Sequence, residues 1–180
     1  IDITTGIPSI IFGLVGAIVF IPMMNKTIQS SGGSIASGAL TLTIILLPTI
    51  IKTTEESLKA IPNSYRMASL ALGASKSQTT FKVILPNAVF GILTATLLSI
   101  GRIIGESAAL IYAVGTAIKD SVAINEKSTS LAVHIWSLMG GENPNYELSC
   151  AISIIILLIV GLVSLGVKLI SRTINKTEVK

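Results

Sequence analysis

The chain has 180 residues, of which 51% are hydrophobic and only 12% are charged, and its mean hydropathy is +0.80. A soluble domain of this size could not bury so much apolar surface, so the composition excludes a soluble globular protein and predicts an integral membrane protein. The net charge of +4 is carried by loops that lack interleaved aromatic residues, which argues against a nucleic-acid partner.

Four continuous apolar blocks follow one another along the chain. They cover residues 8–24, 35–51, 88–115 and 150–170. A helix needs about 20 residues to cross the roughly 30 Å hydrocarbon core, and the third block is longer than that, so it should tilt, kink or turn at Gly105 or Gly115. Transmembrane strands are a poor alternative because the blocks do not alternate. The sequence predicts an all-α integral membrane protein, a polytopic helical bundle with about four transmembrane helices in a single domain over residues 1–180.

The distribution of Lys and Arg predicts the orientation of this bundle. Cations are concentrated in residues 52–86 and in the C-terminal tail, whereas residues 25–34 and 116–147 carry few of them. Cytoplasmic loops are enriched in Lys and Arg, so residues 52–86 should form a cytoplasmic loop and residues 116–147 an extracytoplasmic loop. Both termini are then predicted to be cytoplasmic.

Small residues recur every four positions on two of the blocks. Close backbone approach drives helix association in lipid, so these residues are candidate packing stripes. They are Ser9, Gly13 and Ala17 on the first block, and Gly101, Gly105 and Ala109 on the third.

The loop of residues 52–86 contains the signals of three short helices. Thr53 and Thr54 are plausible caps for a first helix that ends before Pro62. A second helix should begin at Asn63 or Ser64 and break at Gly73. A third should begin at Ser75 or Ser77 and end near Pro86. This helix, turn and helix form an elbow with too few apolar residues for a core of its own, so its apolar side chains need a partner surface or the inner ends of the spans.

Arg102 and Glu106 are the two charged residues of the third block. They lie four residues apart, which predicts that they share one face of the third helix. A charge near the bilayer centre costs about 2.5–3.5 kcal/mol on insertion scales, so both should face a bundle interior or a water-filled path. Two interpretations stay open: the pair lines a substrate path, or it is a self-neutralising ion pair that fastens this helix to a neighbour.

Catalytic motifs are absent from the sequence. Cys150 and His134 are the only cysteine and the only histidine, so neither a metal cluster nor a nucleophilic dyad is expected. The segment GASKS at Gly73 lacks the glycine spacing of a phosphate-binding loop, so ATP and its Mg²⁺ would be bound by another chain. We expect no cofactor, no metal site and no enzymatic activity in this chain.

The elbow carries a resemblance to a known family. RMASLALGASKSQTTFKVILP resembles the cytoplasmic signature of permease subunits of binding-protein-dependent ABC importers, in which an EAA triplet precedes a glycine and an I-x-L-P ending. The sequence departs from that signature at Met67, where the family usually has Glu, and at Ser69, where it usually has Ala. In the family this short helix sits in a groove of the ATPase and transmits its closure to the spans. The ATPase-coupling residues implied by the resemblance are Ala68, Ser69, Leu70, Gly73, Ala74, Ser75, Val83, Leu85 and Pro86.

Further motifs narrow this resemblance. IPSIIFGLVG, SGALTLTIILLPTIIKTTEESLKAIP and GRIIGESAALIYAVG together resemble the A-type permease of phosphate-specific importers, whose sister C-type permease shares the Arg-x-x-Gly-Glu motif. Family members have about six spans, so the chain is expected to be the C-terminal part of a longer permease domain with the type I ABC importer fold. The implied setting is a bacterial or archaeal inner membrane.

The resemblance also implies the partners and the substrate. The partners are a C-type permease, two ATPase subunits and an extracytoplasmic phosphate-binding protein. Inorganic phosphate would be the substrate, with Arg102 donating paired hydrogen bonds to it and Glu106 repelling it or accepting its proton. The alternatives are an importer of the same class for sulfate or molybdate, or an ATP-independent secondary transporter in which Glu106 carries protons. An intramembrane enzyme is a distant third.

Overall fold

The computed structural model describes residues 6–30, 32–119 and 122–178, with side chains described as far as Leu169. The regular secondary structure of the described residues is helical, with no strand among them, and the helices follow one another in chain order. These are α1 (Ser9–Ile28), α2 (Ile35–Lys59), α3 (Asn63–Ala71), α4 (Lys76–Ile104), α5 (Ala108–Ala113), α6 (Leu131–Met139) and α7 (Tyr146–Glu178). The tail cations beyond residue 170 lie outside the described side chains.

Four of these helices are long and apolar enough to cross a membrane. α1 has 20 residues, α2 has 25, α4 has 29, and the described apolar part of α7 has 24. Many of their large hydrophobic side chains are exposed in the isolated chain, as expected of surfaces that meet lipid or other subunits. The predicted all-helical bundle with four transmembrane helices is therefore confirmed.

The bundle has two different ends. At the elbow end, α2 and α4 are joined through residues 60–75, and α3 lies between them. At the opposite end, called here the loop end, residues 122–130 fold back onto the first turn of α2. Ile35 N–H donates to the carbonyl of Glu126, and Ala36 N–H donates to that of Ile124, so this loop satisfies amides that a helix start leaves unpaired.

The first short helix predicted in the 52–86 loop does not form separately. Thr53 lies inside α2, and its hydroxyl donates to the carbonyl of Thr49 at 2.9 Å instead of capping a new helix. Glu55 and Lys59 form an ion pair of 2.6 Å one turn apart, which supports continued helix. α2 therefore extends about two turns beyond the apolar block before it reaches the elbow.

The predicted helix end near Pro86 is also wrong, because Pro86 lies inside α4. A single π-turn over Thr80–Ile84 precedes it, and the N–H of Leu85 donates to the carbonyl of Thr80. Proline cannot donate to the carbonyl four residues earlier, and the widened turn lets the helix continue without that bond. The third apolar block thus begins in a helix that already starts at Lys76.

The far part of that block breaks as expected at Gly105. α4 ends at Ile104, residues 105–107 are not helical, and the short α5 follows. α5 packs against α1 and α2 at the loop end, where Leu110, Val114 and Val133 form the buried apolar cluster. One long block in the sequence is therefore two helices in the fold, with a break between them inside the bundle.

Candidate functional site

The elbow is built by two local signals that the sequence also carries. Gly73 ends α3 with a φ of +84°, a left-handed conformation that favours glycine. Ser75 then caps α4, because its hydroxyl accepts from Gln78 N–H while the Gln78 side chain accepts from Ser75 N–H. The structure places the predicted coupling residues Ala68, Ser69 and Leu70 on α3 and Gly73, Ala74 and Ser75 in the turn. It places Val83, Leu85 and Pro86 inside α4.

Apolar side chains of the elbow face away from the rest of the chain. The exposed fraction is 69% for Met67, 90% for Leu72 and 66% for Phe81. Beside them lies a concave region of about 530 Å³ between α3 and the start of α4. Exposed apolar residues around a concavity are typical of a surface that binds another protein.

Two side-chain contacts fix α3 to the long helices on either side. Arg66 donates to the carbonyl of Leu58 at 2.8 Å and to that of Ile61 at 3.4 Å, at the end of α2. The Ser69 and Thr79 hydroxyls are 3.0 Å apart and join α3 to α4. The sequence analysis did not identify Arg66 as a site residue. A basic residue shortly after a helix end, where carbonyls lack partners, was the available signal.

Arg102 and Glu106 do not share a face of one helix, so that expectation is wrong. Arg102 lies in the last turn of α4, while Glu106 lies in the break that follows it. Among the described residues the two side chains form no ion pair. One carboxylate oxygen of Glu106 instead accepts from the N–H of Ala109 at 3.2 Å, at the start of α5. Glycine at position 105 ends the helix before Glu106 can stack one turn above Arg102.

The two residues nevertheless border the same small cavity. Its volume is about 10 Å³, and Leu42, Ile45 and Leu46 of α2 line its other side. These three residues lie roughly 10–16 Å along α2 from its first residue, so the cavity is deep within the span. The volume is near the lower limit for one water molecule. Arg102 is otherwise exposed, and within the described part of the chain its guanidinium forms no ion pair.

The six candidate packing residues occupy different environments. Gly13 lies against α5, where a Cβ atom would be 2.7 Å from the Cα of Ala109. Gly101 has more room, with the nearest atom of α7 at 4.0 Å, and Gly105 lies in the break. Ser9 and Ala17 are partly buried on α1.

Comparison with known proteins gives a family and a fold. Residues 1–176 match the model of the binding-protein-dependent transport system inner membrane component. A chain of the MetNI methionine ABC transporter, solved in inward-facing conformations, superposes with a TM-score of 0.71 at 23% identity, covering 96% of this chain and 71% of that one. At that identity the likeness shows the fold alone, the type I ABC importer permease fold.

Several relatives are similar in sequence. The probable ABC transporter permease protein YqgI of Bacillus subtilis is 32% identical over 77% of this chain and 50% of its own length. The phosphate transport system permease protein PstA 2 of Mycobacterium bovis is 37% identical over 63% of this chain and 36% of its own. A PstA homolog of Mycoplasma pneumoniae is 31% identical over 79% of this chain and 22% of its own. The chain thus spans half or less of the length of these relatives. It is a multi-pass membrane protein that belongs to the family of binding-protein-dependent transport system inner membrane components.

Proposed function

We propose that the chain is part of a permease subunit of an ATP-driven importer for inorganic phosphate. The observation that carries this proposal is the elbow, a short helix with exposed apolar side chains held between two membrane spans. Such a surface at the membrane edge suits a groove on a separate ATPase subunit, which would bind ATP and Mg²⁺. The names of the PstA relatives support phosphate as the substrate.

The proposed orientation puts the elbow in the cytoplasm of a bacterial or archaeal cell, with both termini on the same side. The loop end then faces outward, where a soluble phosphate-binding protein would deliver substrate. A C-type permease would complete the path, and two ATPase subunits would bind the two elbows. The cations of residues 52–86 support this orientation.

Arg102 is the proposed substrate contact within the membrane. Its guanidinium is exposed on the isolated chain and forms no ion pair within the described residues, so an arriving anion can bind to it. A guanidinium donates two parallel hydrogen bonds to phosphate oxygens, which gives geometric selectivity that a lysine lacks. Glu106 would then hold the start of α5 and place a negative charge near the anion, which shortens its stay.

The test is uptake of labelled phosphate by the full-length transporter, reconstituted with its ATPase and binding protein. Arg102→Gln should lower uptake about 10–100-fold, because a hydrogen bond to a charged group contributes about 1.5–3 kcal/mol. Co-purification of the ATPase should be unchanged. Arg102→Lys, which keeps the charge but loses the paired donors, should recover only part of the uptake.

Three results would contradict the proposal. Transport of sulfate or molybdate in place of phosphate would assign another oxyanion to the same machine. Uptake that continues without ATP or the ATPase would indicate a secondary transporter. Normal phosphate uptake in Arg102→Gln would show that this residue is not a contact of the substrate.

A further inference from the structure

We propose that Arg66 is a positioning residue that makes α2 follow the movement of α3, the short helix of the elbow. The inference rests on the proposed function, because it concerns how ATPase closure at α3 reaches the spans. This inference adds a mechanical link between α3 and α2, made by a residue that is not among the ATPase-coupling residues implied by the resemblance. The link is a set of hydrogen bonds from one guanidinium to backbone and side-chain oxygens at the α2–α3 junction.

Three acceptors surround the guanidinium of Arg66. Its Nη2 donates to the carbonyl of Leu58 at 2.8 Å, and its Nη1 donates to the carbonyl of Ile61 at 3.4 Å and to Asn63 Oδ1 at 3.0 Å. Leu58 belongs to the last turn of α2, where carbonyls lack helical partners, and a cation there also interacts favourably with the helix dipole. The guanidinium of Arg66, on α3, is therefore hydrogen-bonded to the C-terminal end of α2.

The other side of α3 is attached to a different long helix. The Ser69 hydroxyl lies 3.0 Å from that of Thr79, which is 4% exposed and belongs to the first turn of α4. α3 is thus joined to α2 by Arg66 and to α4 by Ser69. A force on α3 would be passed to both helices.

The same two helices form the walls of the cavity beside Arg102. Leu42 and Leu46 come from α2, and Arg102 and Ile103 come from α4. Spreading or closing of α2 against α4 would therefore change the space at Arg102. If Arg66 no longer holds α2, the ATPase can still move α3, but α2 need not follow it.

The experiment uses the full-length transporter in liposomes and measures the ATP hydrolysed for each phosphate taken up. Arg66→Gln should raise this ratio at least about threefold, while the amount of co-purified ATPase stays at the wild-type level. Arg66→Lys keeps the charge but cannot reach all three acceptors, so it should give an intermediate ratio. Lys168→Gln is the matched control. It removes an exposed cation of α7, outside the elbow, whose side chain makes no hydrogen bond or ion pair within the described residues, and its ratio should equal that of the wild type.

Hydrogen exchange of residues 58–72 in the assembled complex supplies a readout that does not depend on the substrate. In Arg66→Gln the amides of this segment should exchange faster, because local opening is no longer opposed by the guanidinium. The inference would be overturned if Arg66→Gln hydrolysed as much ATP for each phosphate taken up as the wild type does. It would also be overturned if the amides of residues 58–72 exchanged at the wild-type rate in this variant. If the variant does not assemble, Arg66→Lys decides on the same two criteria. A wild-type complex that moves no phosphate would contradict the proposed substrate, and the exchange result would still test the link.

Discussion

The loop end and the elbow end of this bundle are held together by different interactions. At the loop end α1, α2 and α5 approach closely through small residues, and the Ser37 hydroxyl donates to the carbonyl of Ala113 at 2.6 Å. At the elbow end large apolar side chains are exposed, and α3 is attached by a few side-chain hydrogen bonds. The difference indicates that the loop end is a preassembled unit, whereas the elbow is completed by a partner.

The largest expected effect comes from filling a close approach between the backbones of α1 and α5. In Gly13→Val a Cβ would lie 2.7 Å from the backbone of Ala109, which cannot rotate away. We expect a loss of about 3 kcal/mol of stability, the upper range for overpacking. The measurement is the melting temperature of the purified complex in detergent.

Gly161→Val is the matched control for that change. Gly161 lies on α7, and a Cβ there would meet no atom within 4 Å. Its melting temperature should stay near that of the wild type. If Gly13→Val melts at the wild-type temperature as well, the loop end is not the rigid unit described above.

A charge on the elbow should affect binding but not folding. Leu72 is 90% exposed, so Leu72→Glu removes no contact within the chain, but it would place a carboxylate in the proposed ATPase groove. We expect ATPase affinity to fall about tenfold, equivalent to about 1.4 kcal/mol, at an unchanged melting temperature. Val122→Glu, in a loop-end residue that is 79% exposed, should leave the affinity unaltered. Equal losses in the two variants would argue against the elbow as the ATPase surface.

Removing the hydroxyl of Ser37 tests the polar part of the loop end. Besides its bond to Ala113, this hydroxyl accepts from the N–H of Ser34 at 2.9 Å, so its loss leaves buried backbone groups unpaired. Ser37→Ala should destabilise the protein by about 1.5 kcal/mol, seen as a lower melting temperature. Thr43→Ala removes an exposed hydroxyl that bonds only within α2, and it should change stability by less than about 0.5 kcal/mol.

The smallest expected effect concerns the turn of the elbow. Gly73 has a φ of +84°, and alanine at that angle is strained by about 1 kcal/mol, although no atom obstructs its Cβ. Gly73→Ala should therefore weaken ATPase binding a few-fold through the turn geometry. Gly141→Ala, in an open position without a positive φ, is the control. No difference between them in ATPase affinity would mean that the bound elbow tolerates another turn.

Hydropathy and local turn signals were sufficient for much of this fold. The four spans, the break at Gly73 and the cap at Ser75 each depend on residues close together in the chain. The separation of α4 from α5 was harder to predict from the sequence, because the apolar run continues across Gly105. The continuation of α4 through Pro86 was missed because a π-turn compensates for the missing amide.

The candidate sites were predictable to a smaller extent. The spacing of Arg102 and Glu106 predicted a shared helix face, but α4 ends at Ile104, between the two residues. The hydrogen bond from Arg66 to the carbonyl of Leu58 depends on the angle at which the chain leaves α2, and the local sequence does not specify that angle. The roles of both residues stay predictions for the experiments above.

The π-turn at Thr80–Ile84 also determines the direction in which Arg102 points. An α-helix advances about 100° around its axis for each residue, and a π-turn takes up one extra residue in its turn, so everything beyond it lies about that angle away from where a regular helix of the same length would put it. Tightening Thr80–Ile84 into regular α-helix without changing its length would therefore swing Arg102 away from the wall formed by Leu42 and Leu46, whereas deleting one residue together with the wide turn would keep its direction. The azimuth of the intramembrane arginine is thus set about five helical turns away, beside the segment that the ATPase is proposed to grip.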